Sequence, residues 1–371
     1  MANEQTGPIA VYGATGYTGR LVAAELRRRD AEAVLSGRNP AKLEIVSEDL
    51  GGDWAISPAS LDDPAALHRL LLPCAAVIAC AGPFERHGEP VLRAAIEAGT
   101  HYLDTTGEQR FMRRVFEEFG PAAADAGVAL IPAMGFDYVP GDMLAALTAE
   151  GMGPLDELVL AYGVSGFGAS RGTLRSVLEA LSGDTVEWRD SALRRTPRGL
   201  GGASFDFPAP RGRERVVSFP SGEHLTVPRH LETRTVRTLL TASTVLPFAG
   251  LLAPAAPLVT VPIQLVARTP MRRLIEMAIG RLGEGPRPED RREAHFDVVC
   301  EAIAGASRRL GTVSGRDVYG LTARSTVEGA VRCATAEFDR SGPLAPSEAF
   351  DPHEFLASVG LSAEVTDVGA A

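Results

Sequence analysis

From position 8 to about 132, short apolar runs alternate with amphipathic stretches, the pattern of βαβ units building a parallel sheet. Residues 9–12, 33–36, 54–57, 75–81, 100–103 and 128–133 read as six strands. Helices are predicted between them at 21–29, 41–50, 62–71, 89–98 and 110–126. After Gly135 the texture changes. A strand at 156–162 and a helix at 173–182 precede strand-like pieces at 216–219, 224–227 and 231–238, set among Gly, Pro and Arg. A charged, Pro-rich loop at 283–292 leads to a strand at 295–302. A helix at 322–338 leads to a tail whose Phe350, Phe355 and Leu356 are expected to dock on the body. The expected fold class is α/β, a Rossmann-type doubly wound parallel sheet plus a second α+β domain with a mixed sheet. The expected domains are 1–142 for nucleotide binding, 143–320 for substrate and dimerisation, and 321–371 as a C-terminal helix and tail. No internal repeat is visible.

The stretch 238–267 carries no charged residue in 30 positions, long enough to span a bilayer. Pro247, Pro254, Pro257 and Pro262 would each remove a backbone hydrogen bond in lipid, which argues against a single spanning helix. The segment reads as buried or dimer-forming, with an apolar wall for a greasy substrate or a membrane-surface contact as its other uses.

Composition narrows the function. With 371 residues, 45% hydrophobic and 23% charged, the chain has material for about two domains and is neither a disordered tail nor a disulfide miniprotein. A formal charge of −10 repels phosphate backbones and sets nucleic acid aside as a partner. Lys42 is the sole lysine, at a predicted helix start, a poor place for a Schiff base or a Walker-type loop. Cys74, Cys80, Cys300 and Cys333 form no Cys-x-x-Cys pair, and the polar opening MANEQTG has no signal-peptide pattern, so a reduced, cytoplasmic protein is expected. The seven histidines are scattered and no His-Glu-x-x-His occurs, so no metal site is expected.

The strongest chemical signal is Gly13-Ala14-Thr15-Gly16-Tyr17-Thr18-Gly19, directly after the first strand and opening a helix. In that context Gly13 allows the turn, Gly16 lets the backbone approach a pyrophosphate, and Gly19 lets helix and strand pack closely; the helix start offers N–H groups to the anion. The second strand ends Ser36-Gly37-Arg38-Asn39, where an NAD site would place an acid; a guanidinium there favours the extra phosphate of NADP. Ser60 and Leu61 are expected to border the adenine, and Cys80, Ala81, Gly82, Pro83 and Phe84 to end the fourth strand at the crevice. Thr105, Gly135 and Phe136 follow the fifth and sixth strands, toward the nicotinamide end. There Asp104 and Asp137 are candidates for catalysis and equally for turn capping. His101 and Tyr102 must face opposite sides of the sheet, and Tyr102 is the candidate for touching substrate. A second glycine-rich turn, 163–172, suggests that Ser170, Arg171 and Thr173 hold a carboxylate, phosphate or pantetheine arm, with a domain-packing turn as the plainer reading.

The pieces GATGYTG, SGRN, AGPFERHGEPV, AGTHYLDTTGE and GFDYVPGD, with DVYGLTA and PLAPSEAFDP near the end, resemble the saccharopine dehydrogenase-like oxidoreductases, particularly the branch of trans-acting enoyl reductases. The resemblance implies NADP(H) as cofactor and hydride transfer to an unsaturated bond of a hydrophobic or carrier-tethered acyl substrate, in a homodimer. It also implies a departure: serines are commoner at the positions of Tyr138 and Gly141, which leaves Tyr138 as a substitute proton donor or a packing residue. Imine reduction or secondary-amine oxidation of the saccharopine type is the alternative, for which Arg189, Arg194, Arg195, Arg234 and Arg237 could gather a polycarboxylate. A non-catalytic, NADP-bound scaffold or lipid-surface protein is the alternative of another class.

Overall fold

Strand β1 (Ile9–Tyr12) is buried at every position, as a central strand covered on both faces must be. In the computed structural model, which describes residues 5–182, 185–196, 202–245 and 272–368, it pairs in parallel with β2 (Ala33–Ser36) on one side and β4 (Ala76–Ala79) on the other. β3 (Ala55–Ile56), β5 (His101–Asp104), β6 (Ala129–Ile131) and a two-residue strand, Gly342–Pro343 (β15), complete a seven-stranded parallel sheet of order β15-β6-β5-β4-β1-β2-β3. The order reverses between β1 and β4, the switch point at which open sheets of this kind take their ligands.

Helices α1 (Tyr17–Arg28), α2 (Pro40–Asp49), α3 (Pro64–Leu71) and α4 (Phe84–Ala98) connect these strands. α2 and α3 start alike, with proline in the first turn and a capping side chain before it: Asn39 Oδ1 accepts from Lys42 N at 3.1 Å and Asp63 Oδ1 from Ala66 N at 2.9 Å. The single helix expected at 110–126 is instead α5 (Gln109–Arg114), a π-turn over Val115–Phe119 and α6 (Gly120–Asp125). Pro121, in the first turn of α6, has no N–H for the α-helical ladder, so the register changes there.

The chain divides into two compact units, Met1–Phe136 with Tyr319–Leu344 and Asp137–Val318 with Ala345–Ala371. The first junction therefore precedes residue 142, and the C-terminal stretch is shared between the units.

In the second unit β7 (Glu157–Ser165) lies central in a mixed sheet of order β10-β11-β12-β7-β13-β14-β16. Its members are β10 (Gly202–Asp206), β11 (Arg213–Ser218), β12 (Val236–Thr241), β13 (His295–Ala304), β14 (Ser307–Arg316) and β16 (Ala363–Val368). Only β12 and β7 run parallel. β8 (Val186–Arg189) and β9 (Ala192–Arg195) form a separate hairpin, turned by Asp190 and Ser191 at φ 52° and 56°, as a two-residue primed turn requires. Alternation along β7 sends Val159 and Ala161 into an apolar cluster with Phe205, Phe207, Val216, Leu239 and Val299. Tyr162 points the other way, toward α7 (Val139–Thr148) and α9 (Glu223–His230).

Several sequence expectations need correction. Residues 224–227 are not a strand: they lie in α9, where Glu223 through Val227 are all buried, and tertiary packing overrides the β-branched bias of Thr226 and Val227. GFDYVPGD does not simply end a strand; its second half is the first turn of α7, with Pro140 at the start. The late helix runs Val318–Cys333, not 322–338. In the tail Phe355 and Leu356 are buried, Phe355 stacking on Phe350 with ring centroids 5.0 Å apart. Of the uncharged stretch, residues 246–267 lie outside the described residues; among the described ones no helix is long and apolar enough to cross a membrane.

Candidate nucleotide site and acid cluster

The turn after β1 is pinned from below. Gly13 N and Ala14 N donate to Ser36 O at 2.9 and 3.1 Å, tying the turn to the end of β2. Gly13 has φ 86°, and a Cβ there would stand 3.0 Å from Ala81 N and 3.1 Å from Cys80 C, on the end of β4. A Cβ on Gly19 would meet Gly13 O at 2.2 Å and Ala14 Cα at 2.9 Å, so α1 can seat against the turn only without one. Gly16 is the N-cap; no side chain caps the helix and no acid occupies its first turn. Its positive end is thus left for an outside anion. Thr15 and Thr18 are half-buried along the turn, and Tyr17 meets Tyr319 edge to face at 5.0 Å.

At the tip of β2, Ser36 Oγ donates to Ser57 O at 2.7 Å and Gly37 is buried, which leaves Arg38 as the exposed charge. Arg38 forms no ion pair among the described residues, though its charge reaches the hydroxyl of Tyr12. Asn39 is engaged as the cap of α2, Ser60 Oγ accepts from Asp62 N at 3.4 Å, and Leu61 packs on the core. A cationic strand tip beside an uncapped, acid-free helix start fits a dinucleotide carrying an additional phosphate.

The ends of β4, β5 and β6 are knitted together by carboxylates. Glu108, buried, accepts from Phe84 N at 3.0 Å and Glu85 N at 2.9 Å, so a residue after β5 caps α4 across the sheet. Gly88 in the same helix admits the Phe111 ring, which a Cβ would meet at 2.4 Å. Asp104 is fully buried; its Oδ1 accepts from Thr106 N and Ala133 N, both at 2.9 Å, and Oδ2 has no partner. Burial raises its carboxyl to about 6 despite these bonds. Ala133 itself sits at φ 62°, strained for a residue with a Cβ and held by that bond. The ring of Tyr102 is buried in the core of this unit, which argues against direct substrate contact. Burial, with the Asp104 charge next, pushes the Cys80 thiol up to about 12, so it stays protonated. Ala81 and Gly82 are half-exposed, Pro83 is the N-cap of α4 after a cis peptide bond, and Thr105 is half-buried. Past β6, Met134 O accepts from Ser325 Oγ at 2.8 Å and Thr326 Oγ1 at 3.0 Å, and Phe136 N donates to Thr322 Oγ1 at 3.0 Å. Gly135 packs on Thr322, so one face of the late helix shapes this loop. Glu108, Thr322, Ser325 and Thr326 are absent from the sequence-derived candidates, because their partners are distant in the chain.

In the second unit Asp137 has an exposed side chain, and partial desolvation by the surrounding protein moves its carboxyl upward. Tyr138 is buried, with 1% exposure. One turn on, a Cβ at Gly141 would meet Tyr162 Oη at 2.0 Å and Glu223 Oε1 at 2.6 Å, which gives a physical reason for glycine there. Tyr162 Oη donates to Glu223 Oε1, and burial pushes the Glu223 carboxyl up to about 8. Below it, fully buried Asp142 bonds His230 Nε2 at 2.9 Å and accepts from Ser347 N at 2.9 Å. Burial opposes both charges, but each partner prevails, Asp142 being held below the usual carboxylate range and His230 above the usual imidazole range.

This pair predicts a two-sided pH dependence. The Asp142 contribution is present above an unfolded pKa of about 3.9 and is lost as pH falls through its lowered folded value. The His230 contribution is full below an unfolded pKa of about 6.5 and is lost as pH rises through its raised folded value. Thermal midpoints of the wild type minus those of His230→Ala should therefore be largest between pH ~4 and ~6.5 and shrink on both sides. A difference that does not vary with pH would show that the pair is not ionised.

The proposed substrate-arm residues have internal work. Ser170 Oγ caps its own helix α8 (Arg171–Ser182), accepting from Thr173 N at 3.1 Å, and Arg171 pairs with Glu284 at 3.1 Å. Arg189, Arg234 and Arg237 each pair with an acid, Glu187, Asp190 and Glu157 respectively. These pairs blunt the guanidinium cluster that a polycarboxylate would need.

Comparison with known proteins agrees with the geometry. Residues 9–131 match the family described as Saccharopine dehydrogenase NADP binding domain. A trans-acting enoyl reductase of Mycobacterium ulcerans (strain Agy99) is 34% identical over 252 residues, 62% of this chain and 60% of that one. A Mycobacterium tuberculosis (strain ATCC 25618 / H37Rv) protein provisionally given the same name is 36% identical over 184 residues, 47% of this chain and 44% of that one. The chain thus spans about half the length of the curated relatives it matches. Among solved structures, saccharopine dehydrogenase (L-Glu forming) from Saccharomyces cerevisiae shares the fold, with TM-score 0.60 at 14% identity over 98% of this chain and 100% of that one. A glycine turn after β1, an Arg38 that forms no ion pair among the described residues, and the match over 9–131 show that the first unit is similar to the saccharopine dehydrogenase NADP binding domain.

Proposed function

We propose that the protein is an NADPH-dependent reductase acting on the C=C bond of a hydrophobic or carrier-tethered enoyl substrate. The observation that carries the cofactor assignment is Arg38, a cation without an acidic partner among the described residues, at the tip of β2 beside a helix start that has neither side-chain cap nor acid in its first turn. The names of the relatives support the enoyl reading over the amine one, as does the pairing of Arg189, Arg234 and Arg237 with carboxylates.

When bound, the reduced nicotinamide supplies a hydride to one carbon of the polarised double bond while the other carbon takes a proton. In this reading the turn from Gly13 to Gly19 holds the diphosphate and Arg38 the additional phosphate. Ser60 and Leu61 border the adenine, and Cys80 to Phe84, Thr105, Gly135 and Phe136 line the nicotinamide end. In this reading Asp137, an exposed carboxyl, would pass a proton to substrate. Asp104 orders the β5 and β6 turns through two backbone bonds, a positioning task. Tyr138, buried, serves as support. The same reading takes the protein as a cytoplasmic homodimer whose uncharged stretch 238–267 meets greasy substrate or a membrane surface.

The test is the fall of NADPH absorbance on mixing the protein with enoyl thioesters or with cyclic imines. Oxidation with the thioesters alone is expected. Turnover of imines instead would transfer the reading to the amine branch, and silence with both would favour a scaffold.

A further inference from the structure

The late helix, Val318–Cys333, comes from the C-terminal part of the chain, yet from Tyr319 onward it belongs to the first unit. Its start meets the start of α1, where Tyr319 lies edge to face on Tyr17 with ring centroids 5.0 Å apart. Farther along, Glu328 pairs with Arg29, the residue that ends α1. Just past its last turn, Ala334 O accepts from Thr6 N at 2.8 Å, ahead of β1. The helix therefore runs beside α1 in the same direction, with its start at the C-terminal ends of the parallel strands. That is the edge at which such sheets take their ligands.

Thr322, Ser325 and Thr326 follow the spacing i, i+3, i+4, so their hydroxyls share one face of this helix. That face meets the loop after β6. Thr322 Oγ1 accepts from Phe136 N at 3.0 Å, 186 positions away, while Ser325 Oγ and Thr326 Oγ1 lie 2.8 and 3.0 Å from Met134 O. The latter two also reach carbonyls of their own helix, Leu321 O at 2.9 Å and Thr322 O at 2.7 Å, and each has a single hydrogen to give. Their hold on the loop is shared with the helix; that of Thr322, which receives a backbone N–H, is not. Its methyl group acts on the same loop by contact, since a Cβ on Gly135 would stand 3.3 Å from Thr322 Cγ2. On the other side the loop hangs from Asp104, whose Oδ1 accepts from Ala133 N and whose backbone O accepts from Met134 N.

We propose that Thr322 is a positioning residue for hydride transfer: by holding Phe136 N and contacting Gly135 it sets the wall against which the nicotinamide ring lies. This rests on the reductase reading and deepens it. The turn from Gly13 to Gly19 and Arg38 grip the phosphates of the coenzyme, and Thr322 acts at its other end without touching substrate or the reacting atoms. A misplacement of about 1 Å at the reacting centre costs roughly 100-fold in rate. Loosening the loop therefore shows in turnover, while the phosphate contacts keep the affinity.

Two substitutions separate the hydrogen bond from the packing. Thr322→Val keeps the methyl contact and loses the acceptor; Thr322→Ser keeps the acceptor and loses the methyl. In steady-state assays with NADPH and an enoyl thioester, Thr322→Val should lower kcat ~10- to 100-fold with KM for NADPH within ~3-fold of wild type, and Thr322→Ser should stay within ~3-fold in both. Gly135→Ala, which forces loop and helix apart by a few tenths of an ångström, should also lower kcat, and adding Thr322→Ser should relieve it because the opposing methyl is gone. A readout without turnover is the fluorescence lifetime of bound NADPH, which should shorten toward that of the free coenzyme in Thr322→Val and not in Thr322→Ser. Wild-type kcat and lifetime in Thr322→Val overturn the proposal, as does a Thr322→Ser protein as slow as Thr322→Val. If Thr322→Val does not fold, the Gly135→Ala pair decides, and absence of relief in the double variant overturns it. Wild-type silence with enoyl thioesters refutes the reductase reading, and the lifetimes then still decide whether Thr322 orders the nicotinamide.

Discussion

Gly19→Ala is expected to weaken NADPH binding by 100-fold or more, about 2.7 kcal/mol. The added methyl would stand 2.2 Å from Gly13 O and 2.9 Å from both Gly13 C and Ala14 Cα, all of them backbone atoms that no rotamer can move aside. α1 must then lift from the end of β1, carrying its N–H groups away from the place where a diphosphate would sit. Overpacking of this kind also costs stability, of the order of 1–3 kcal/mol. Gly16→Ala is the informative companion, since its Cβ would come no closer than 3.3 Å to Gly13 O and should cost much less. Gly153→Ala, with nothing within 4 Å, is the neutral control. Calorimetric titration of the three variants checks the ranking; equal affinities would mean that this turn does not grip the cofactor.

The second large effect is structural. Glu108→Ala removes the acceptor for Phe84 N and Glu85 N and leaves two N–H groups at the start of α4 without their acceptor. A buried donor left unpaired costs roughly 1–3 kcal/mol, so a loss of about 2–5 kcal/mol is expected, read as a lower denaturant midpoint. Glu108→Gln keeps one acceptor oxygen and should lose less than half as much. Because Pro83 and Phe84 begin the capped helix, cofactor affinity should fall with stability. A Glu108→Ala protein of wild-type midpoint would show that the cap is dispensable.

How much of this was legible in the sequence follows from the range of each interaction. The Gly13 to Gly19 turn and Arg38 are local patterns, set by a strand end and the helix that follows, and the fold class came with them. Asp104 was visible as an acid at a strand end, but not as the acceptor for Ala133, 29 positions away. Glu108, 24 positions from Phe84, and Glu223, 61 from Tyr162, carry no local signal at all. The strand Gly342–Pro343 joins β6 from more than 200 positions away with two residues that are poor strand formers. Residues 224–227 misled because four residues cannot separate a period of 2.0 from one of 3.6 when every side is buried. Ser170 and Arg171 looked like ligand groups because a helix cap and an anion cradle use the same residue types.

The most direct test of the central claim is calorimetric titration of the purified protein with NADPH and NADH, repeated on Arg38→Ala. The account predicts that NADPH binds at least ~10-fold more tightly than NADH, and that removing this one guanidinium erases the preference, since a charge-assisted bond is worth about 1.5–3 kcal/mol. Equal affinity for the two coenzymes, or a preference for NADPH that survives in Arg38→Ala, would contradict it.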